Sequence, residues 1–275
     1  MKLNERAEVY YPQGPVEQLD ALCFAAHQDD IEFMAYGGIF DCYKNGKKFG
    51  GVVTTDGAGS PRDGKFARYT DDEMKAVRRE EQLAASRIGG YGVQILLNYP
   101  SAAVKSFADK RPTADFAEAL KAYRPAVVYT HNLADKHDTH VGVAVKAIEA
   151  IRTLKKPDRP KKLIGCEVWR GLDWICDDEK LIMDVTGGRE LGLELMGVFE
   201  SQIAGGKRYD RATDGRRFAN ATYLASHGVD TAEQVAYGMD LTPLIEDDAL
   251  DILGYIKGFI DRFWGEVEKR LGRVL

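Results

Sequence analysis

Ala21-Leu22-Cys23-Phe24-Ala25-Ala26-His27-Gln28-Asp29-Asp30 decides how the rest of the chain is read. Six apolar residues without polar alternation describe a strand buried on both faces, the pattern of a parallel sheet covered by helices. The polar run that follows marks the strand's carboxyl end. Beyond it, residues 30–43 have helical periodicity, and Asn45-Gly46 supplies the stop. A buried strand passing straight into a helix is the first half of a βαβ unit.

Moving outward, the same alternation repeats. Residues 50–55 read as a second strand that runs into the loop Asp56-Gly57-Ala58-Gly59-Ser60-Pro61. A charged helix is expected over 70–88, its acidic start suiting the positive end of the helix dipole. Residues 93–97 and 126–130 read as strands, and 114–123 and 138–154 as helices. The expected fold is therefore α/β, a Rossmann-like and mostly parallel sheet with helices on both faces. After the proline-rich 155–162 the pattern changes. Strands are expected at 163–169 and 173–176, helices at 188–202 and 246–271, and a basic segment up to Arg217 lies between the two helices. We read residues 1–275 as one domain with its core at about 20–155 and a C-terminal elaboration at about 160–275.

Composition narrows the function classes. With 38 basic and 43 acidic residues the chain carries a net charge of −5, so no global basic field favours nucleic acid or an anionic membrane. No window has the length and apolarity of a membrane span, and the first fifteen residues lack the apolar run of a signal peptide. Cys23, Cys42, Cys166 and Cys176 form neither a CxxC pair nor a disulfide framework, which fits a reduced cytoplasm. No dinucleotide fingerprint or GK[ST] loop is present.

Two polar clusters carry the chemistry. His27-Gln28-Asp29-Asp30 begins at the carboxyl end of the first strand. His131 to His140 begins at the end of the fourth and holds His131, Asp135, His137, Asp138 and His140. In the common doubly wound order those two strands are neighbours at the topological switch point, where ligands bind. Two histidines and a carboxylate make a catalytic metal sphere, and an adjacent carboxylate outside it, Asp29, can take a proton from water. His137 and His140, three apart at a helix start, share a face; the one not holding metal can polarise a carbonyl or protonate a leaving amine. The plainer alternative is that Asp29, Asp30, Asp135 and Asp138 merely cap helices.

In this order the motifs resemble the PIG-L/LmbE-like family of zinc-dependent N-deacetylases. His27-Gln28-Asp29-Asp30 followed by Gly37-Gly38 is similar to the family's HPDD motif, and Thr55 to Gly59 to its glycine-containing loop. Arg78-Arg79-Glu80-Glu81 resembles its R-x-x-E helix, and His137-Asp138-Thr139-His140 completes the pattern, with weaker echoes at residues 167–169 and 201–202. The resemblance implies Zn2+ held by His27, Asp30 and His140, Asp29 as general base, and His137 stabilising the tetrahedral intermediate. It also implies an N-acetylated amino-sugar substrate and a homo-oligomer. Gln28 stands where the family has proline. Thr139 stands where an aspartate is common, which leaves the carboxylate support of His140 open.

Other residues carry weaker expectations. Asp56 and Arg62 can hydrogen-bond sugar hydroxyls, with a solvated loop as the plainer alternative; Arg78 and Glu81 are expected in a structural helix pair; Trp169 and Trp174 are expected in the core, with stacking on sugar rings as the alternative. Two rival functions use the same residues. A non-haem iron oxygenase also takes two histidines and a carboxylate, and a sugar-binding protein can keep the crevice without turnover.

Overall fold

The computed structural model describes residues 1–275. One eight-stranded sheet organises the chain. Its strands are β1 (Glu8–Tyr10), β2 (Ala21–Ala25), β3 (Phe49–Thr55), β4 (Val93–Tyr99), β5 (Val127–His131), β6 (Lys162–Cys166), β7 (Lys180–Asp184) and β8 (Val235–Asp240), in the spatial order β1-β4-β3-β2-β5-β6-β8-β7. The five central strands, β4-β3-β2-β5-β6, run parallel, and β1, β8 and β7 pair antiparallel at the two edges.

The helices are α1 (Asp30–Met34), α2 (Tyr36–Asn45), α3 (Asp71–Ile88), α4 (Ser101–Lys105), α5 (Arg111–Tyr123) and α6 (Asp138–Arg152). The C-terminal part adds α7 (Arg189–Gly197), α8 (Glu200–Ala204), α9 (Tyr209–Tyr223), α10 (Pro243–Glu246) and α11 (Ile252–Leu271). None of these helices is long and apolar enough to cross a membrane.

The unbroken apolar run of β2 now has its reason. Leu22 and Phe24 join a cluster with Phe116, Val128 and Val143 on one face, while Ala21, Cys23 and Ala25 join Ile31, Ile39 and Leu96 on the other. Both faces are covered, so neither parity of the strand can be polar. Helix ends follow local chemistry. Thr70 and Glu73 form a reciprocal capping box on α3, and Gly46 closes α2 at φ 65°.

Several expected elements differ. The helix expected over 30–43 is broken at Ala35, just ahead of Gly37 and Gly38. A Cβ at Gly38 would lie 2.4 Å from the Tyr129 ring and one at Gly37 2.7 Å from the Met183 sulfur, so this stretch lies closer to the sheet than side chains permit. Residues 173–176 form turns, not a strand. The Glu167 carboxylate accepts the Leu172 N–H that a strand ladder would need, and Ile175 N–H bonds back to Leu172 O. The helix expected over 188–202 is two helices, α7 and α8, and the basic segment before Arg217 falls largely in helix α9. The final helix starts at Ile252, where Asp251 caps it by accepting from Gly254 N–H. The edge strands β1 and β7, and β8 between β6 and β7, were not expected at all.

Candidate active site

β2 and β5 pair directly, Ala21 opposite Val127 and Cys23 opposite Tyr129, so their carboxyl ends deliver the two polar clusters to one place. There His27 Nδ1, Asp30 Oδ2 and His140 Nε2 form a nearly equilateral triangle. The sides are 3.1 Å (His27–Asp30), 3.2 Å (His27–His140) and 3.3 Å (His140–Asp30). Zinc bonds of about 2.0–2.1 Å in tetrahedral directions require ligand atoms roughly 3.3–3.4 Å apart. The three side chains therefore fit a tetrahedral metal with one position left over.

Other donor sets overlap this one. His27, His137 and His140 bring ligand atoms within 4.8 Å of one another, as do Asp30, His131 and His140. Hydrogen bonding separates them. The Ala26 N–H donates to His131 Nε2 at 3.0 Å, which uses that lone pair, and burial pushes the His131 pKa well down. His131 is thus a neutral ring stacked on His140, their centroids 4.0 Å apart. His137 is the N-cap of α6, and its Nδ1 accepts from Thr139 N–H at 3.3 Å. Burial, with the charges of His140 and His27, lowers its pKa too. Neutral, with Nδ1 accepting, His137 carries its proton on Nε2 and is a donor in the cleft wall.

A carboxylate stands behind His140: Asp135 Oδ1 lies 3.3 Å from its Nδ1, a charge contact rather than a well-aligned hydrogen bond. Asp135 therefore occupies the supporting position left open by Thr139. Burial opposes charge on His140, but Asp30 and Asp135 outweigh it and raise its pKa to about 9. For Asp30, burial is likewise outweighed, here chiefly by the charge of His140, and its carboxyl is held well below the usual range.

Asp29 points elsewhere. It is the N-cap of α1 with φ 90°, a left-handed conformation rare outside glycine. Its backbone N–H donates to Gln82 Oε1 at 3.1 Å, and its Oδ2 accepts from Arg78 at 2.9 Å. Burial raises the Asp29 pKa to about 6, with Arg78 opposing. Arg78 is fully buried and does more than pair with Glu81. Besides the 3.0 Å bond to Glu81 it donates to Gln28 O, and Ser201 in turn donates to both Glu81 oxygens at 2.7 Å. A chain of contacts thus runs from α8 through α3 to Asp29. The sequence reading missed it because its members lie 49 to 123 residues apart.

The glycine loop is part of the same construction. Gly57 has φ 77°, and a Cβ there would come within 2.8 Å of Gln28 Oε1 and 3.0 Å of Arg78 Cβ. Gln28, standing in place of proline, ties the turn by donating from Nε2 to Thr55 O at 3.1 Å.

His27, Asp29, Asp30, Arg78 and His137 open on a cleft of about 620 Å³. Trp169, expected in the core, is 39% exposed and lines this cleft beside Tyr209, whereas Trp174 does pack against the core. The structure does not bring Asp56 or Arg62 into the cleft lining. Asp56 Oδ1 accepts from Ala58 N–H, and Arg62 is spent on the loop, donating to Tyr69 O, Ser60 O, Ala58 O and Asp71.

A family model described as PIG-L, GlcNAc-PI de-N-acetylase, matches residues 22–151, the segment that supplies all of His27, Asp29, Asp30, His137 and His140. The match is to that segment, just under half of the chain. Solved structures share the fold at low identity. A conserved protein of Thermus thermophilus is 21% identical with a TM-score of 0.65, covering 82% of this chain and 96% of that one. The N,N'-diacetylchitobiose deacetylase of Pyrococcus horikoshii is 19% identical with a TM-score of 0.65, covering 86% and 88%. The 4-carboxy-2-hydroxymuconate hydratase of Pseudomonas putida is 18% identical with a TM-score of 0.62, covering 80% and 95%. The PIG-L region therefore sits within a fold shared by a deacetylase and a hydratase.

Proposed function

We propose that the protein is a metal-dependent hydrolase that removes an N-acetyl group from an amino sugar or its conjugate. The observation that carries this reading is the 3.1–3.3 Å triangle of His27, Asp30 and His140 with a second carboxylate, Asp29, beside it in the same cleft. The PIG-L match and the deacetylase among its structural neighbours support the substrate class.

His27 Nδ1, Asp30 Oδ2 and His140 Nε2 would hold the metal, for which zinc suits the donor set and spacing. When bound, zinc supplies a Lewis acid that polarises the amide carbonyl and makes water more acidic. Asp29 takes a proton from the water whose oxygen attacks the carbonyl carbon. A pKa near 6 leaves it ionised at neutral pH yet more basic than an ordinary carboxylate. Arg78 fixes its orientation. The Nε2–H of His137 donates to the carbonyl oxygen as negative charge gathers there. Asp29 then returns the proton to the nitrogen, the C–N bond breaks, and amine and acetate leave.

The test is mass spectrometry of N-acetylglucosamine and its conjugates after incubation with zinc-loaded protein, beside elemental analysis of variants. Asp29→Asn should keep the metal and lose about 100- to 10,000-fold in turnover. His27→Ala and His140→Ala should lose the metal itself. A metal-free Asp29→Asn together with a fully loaded Asp30→Asn would reverse the roles of the two aspartates. An iron-loaded protein consuming oxygen would replace the hydrolase with an oxygenase.

A further inference from the structure

The chain has a net charge of −5, yet its cleft is lined by four fixed cations, Arg78, Lys105, Lys207 and Arg216, against only two carboxylates, Asp29 and Asp30. The local balance is positive before any metal binds. Arg78 is committed to Asp29 and Glu81. The other three have no carboxylate at ion-pair distance, although nearby cations do: Lys65 pairs with Glu200 at 2.7 Å, and Arg208 pairs with Asp210.

Lys207 and Arg216 belong to one wall. Lys207 Nζ stands 5.1 Å from the centre of the half-exposed Trp169 ring. Arg216 donates to Val168 O at 2.6 Å, and its guanidinium lies 5.5 Å from the Phe33 ring centre. Arg216 favours the charged form of Glu167, but that buried carboxylate is not at ion-pair distance and already accepts from Leu172 N–H, Asn220 Nδ2 and Tyr237 N–H. Lys105, at the end of α4, adds its field from another part of the lining. Uncompensated cations that converge on a cleft beside an exposed aromatic are built to meet an anion.

Resting on the amidohydrolase reading above, we propose that the substrate is an N-acyl amino sugar bearing an anionic group, a phosphate or a carboxylate. Trp169 offers a face to the sugar ring, and Lys207 and Arg216 take the anion.

Zinc-loaded full-length protein is assayed on N-acetylglucosamine, N-acetylglucosamine 6-phosphate and N-acetylmuramic acid. Binding of the corresponding free amines, glucosamine 6-phosphate and glucosamine, is measured by calorimetry. At least one anionic substrate should exceed the neutral one about tenfold or more in kcat/KM, mostly through KM, and which one does so identifies the anion. Lys207→Gln and Arg216→Gln should each remove most of that preference and Lys105→Gln a smaller part; raised salt should blunt it in the wild type. Lys207 and Lys105 are exposed, so their variants are not expected to misfold.

Equal turnover of all three substrates, unchanged in Lys207→Gln, overturns the anion subsite and leaves the hydrolase standing. Tight binding of glucosamine 6-phosphate that depends on Lys207, without turnover of any substrate, upholds the subsite and removes the deacetylase reading. Neither turnover nor Lys207-dependent binding defeats both.

Discussion

Replacing Glu32 with glutamine should flatten part of the protein's stability–pH curve, because Glu32 is a carboxyl sealed under the active site. It is fully buried, and its Oε1 accepts from Tyr91 Oη at 2.7 Å and Gln82 Nε2 at 2.9 Å, while Oε2 has no partner. No cation pairs with the carboxyl, although Arg217 donates to the Glu32 backbone O at 3.2 Å. Burial pushes its pKa up to about 8, with the hydrogen bonds from Tyr91 and Gln82 only partly opposing. The same Gln82 holds the Asp29 backbone N–H, so the neutral carboxyl is one link from the proposed base.

The sign follows from which state holds the proton. Between the ordinary carboxyl pKa of 4.5 and about 8, the folded protein keeps the Glu32 proton and the unfolded chain has lost it. Stability must then fall as pH rises through that window, by at most about 1.4 kcal/mol per unit, and level off above it. The full span amounts to roughly 5 kcal/mol, an upper bound that water entry and local relaxation reduce. Glutamine keeps the oxygen that Tyr91 and Gln82 need and cannot ionise. Its amide would occupy the unpartnered Oε2 position, costing about 1–3 kcal/mol at every pH.

Glu32→Gln should therefore be no more stable than the wild type at pH 5 and gain on it steadily towards pH 8.5. The relative gain is about 2–5 kcal/mol, or roughly 5–10 °C in Tm for a chain of this size. The assay is thermal or urea unfolding of metal-free protein at half-unit pH intervals. Groups that do not interact with Glu32, such as His140, cancel in the difference between the two proteins, whereas Asp29, whose charge raises the Glu32 pKa, adds to it. Parallel curves, or a variant that loses ground as pH rises, would show that Glu32 is ionised in the fold.

Arg78→Met should destabilise by about 3–5 kcal/mol, since it strands the buried Asp29 and Glu81 carboxylates; a loss below about 1 kcal/mol in urea unfolding would deny the network its structural role. With its pKa raised to about 9, His140 is protonated in the metal-free protein at neutral pH and must give up that proton to ligate. Zinc affinity should thus rise about tenfold per pH unit up to about 9 and then level. Calorimetry in buffers of different ionisation enthalpy should count a proton released from this site, and zinc uptake at pH 7 without proton release would contradict it. His137→Ala should lose about 100- to 1,000-fold in turnover while binding zinc nearly as well as the wild type, and a zinc titration beside the rate measurement separates a donor from a ligand.

What the sequence disclosed and what it hid divide along a physical line. β2 and β5 are buried on both faces, so their apolar runs are unmistakable, and the polar residues ending them are displayed at the one edge where a parallel sheet binds ligands. Short edge strands such as β1, with three half-buried residues, carry no such pattern. β8 is buried, but Gly238 interrupts its run because Ile164 and Leu181 pack against its bare Cα.

At the site, the residues proposed to touch the reacting centre belong to two compact motifs that the sequence displays. The residues that hold them in place were not legible. Asp135 was seen only as a possible cap, although it stands behind His140. Arg78 was paired with its helical neighbour Glu81, whereas its other hydrogen-bond partners, Gln28, Asp29 and Ser201, come from distant segments. Arg62 shows the converse error. An arginine in a glycine-rich loop looks available to a ligand, but such a loop leaves many carbonyls without partners, and its own arginine is the nearest donor able to satisfy several at once. The convergence of the cleft's cations was hidden for a related reason. Lys207 and Arg216 belong to the basic segment before Arg217, but Lys105 stands in a distant part of an acidic chain, so neither spacing nor net charge shows that the three share one cleft. Only folding removes the intervening carboxylates from their neighbourhood, and the charge a ligand meets is the charge of that neighbourhood.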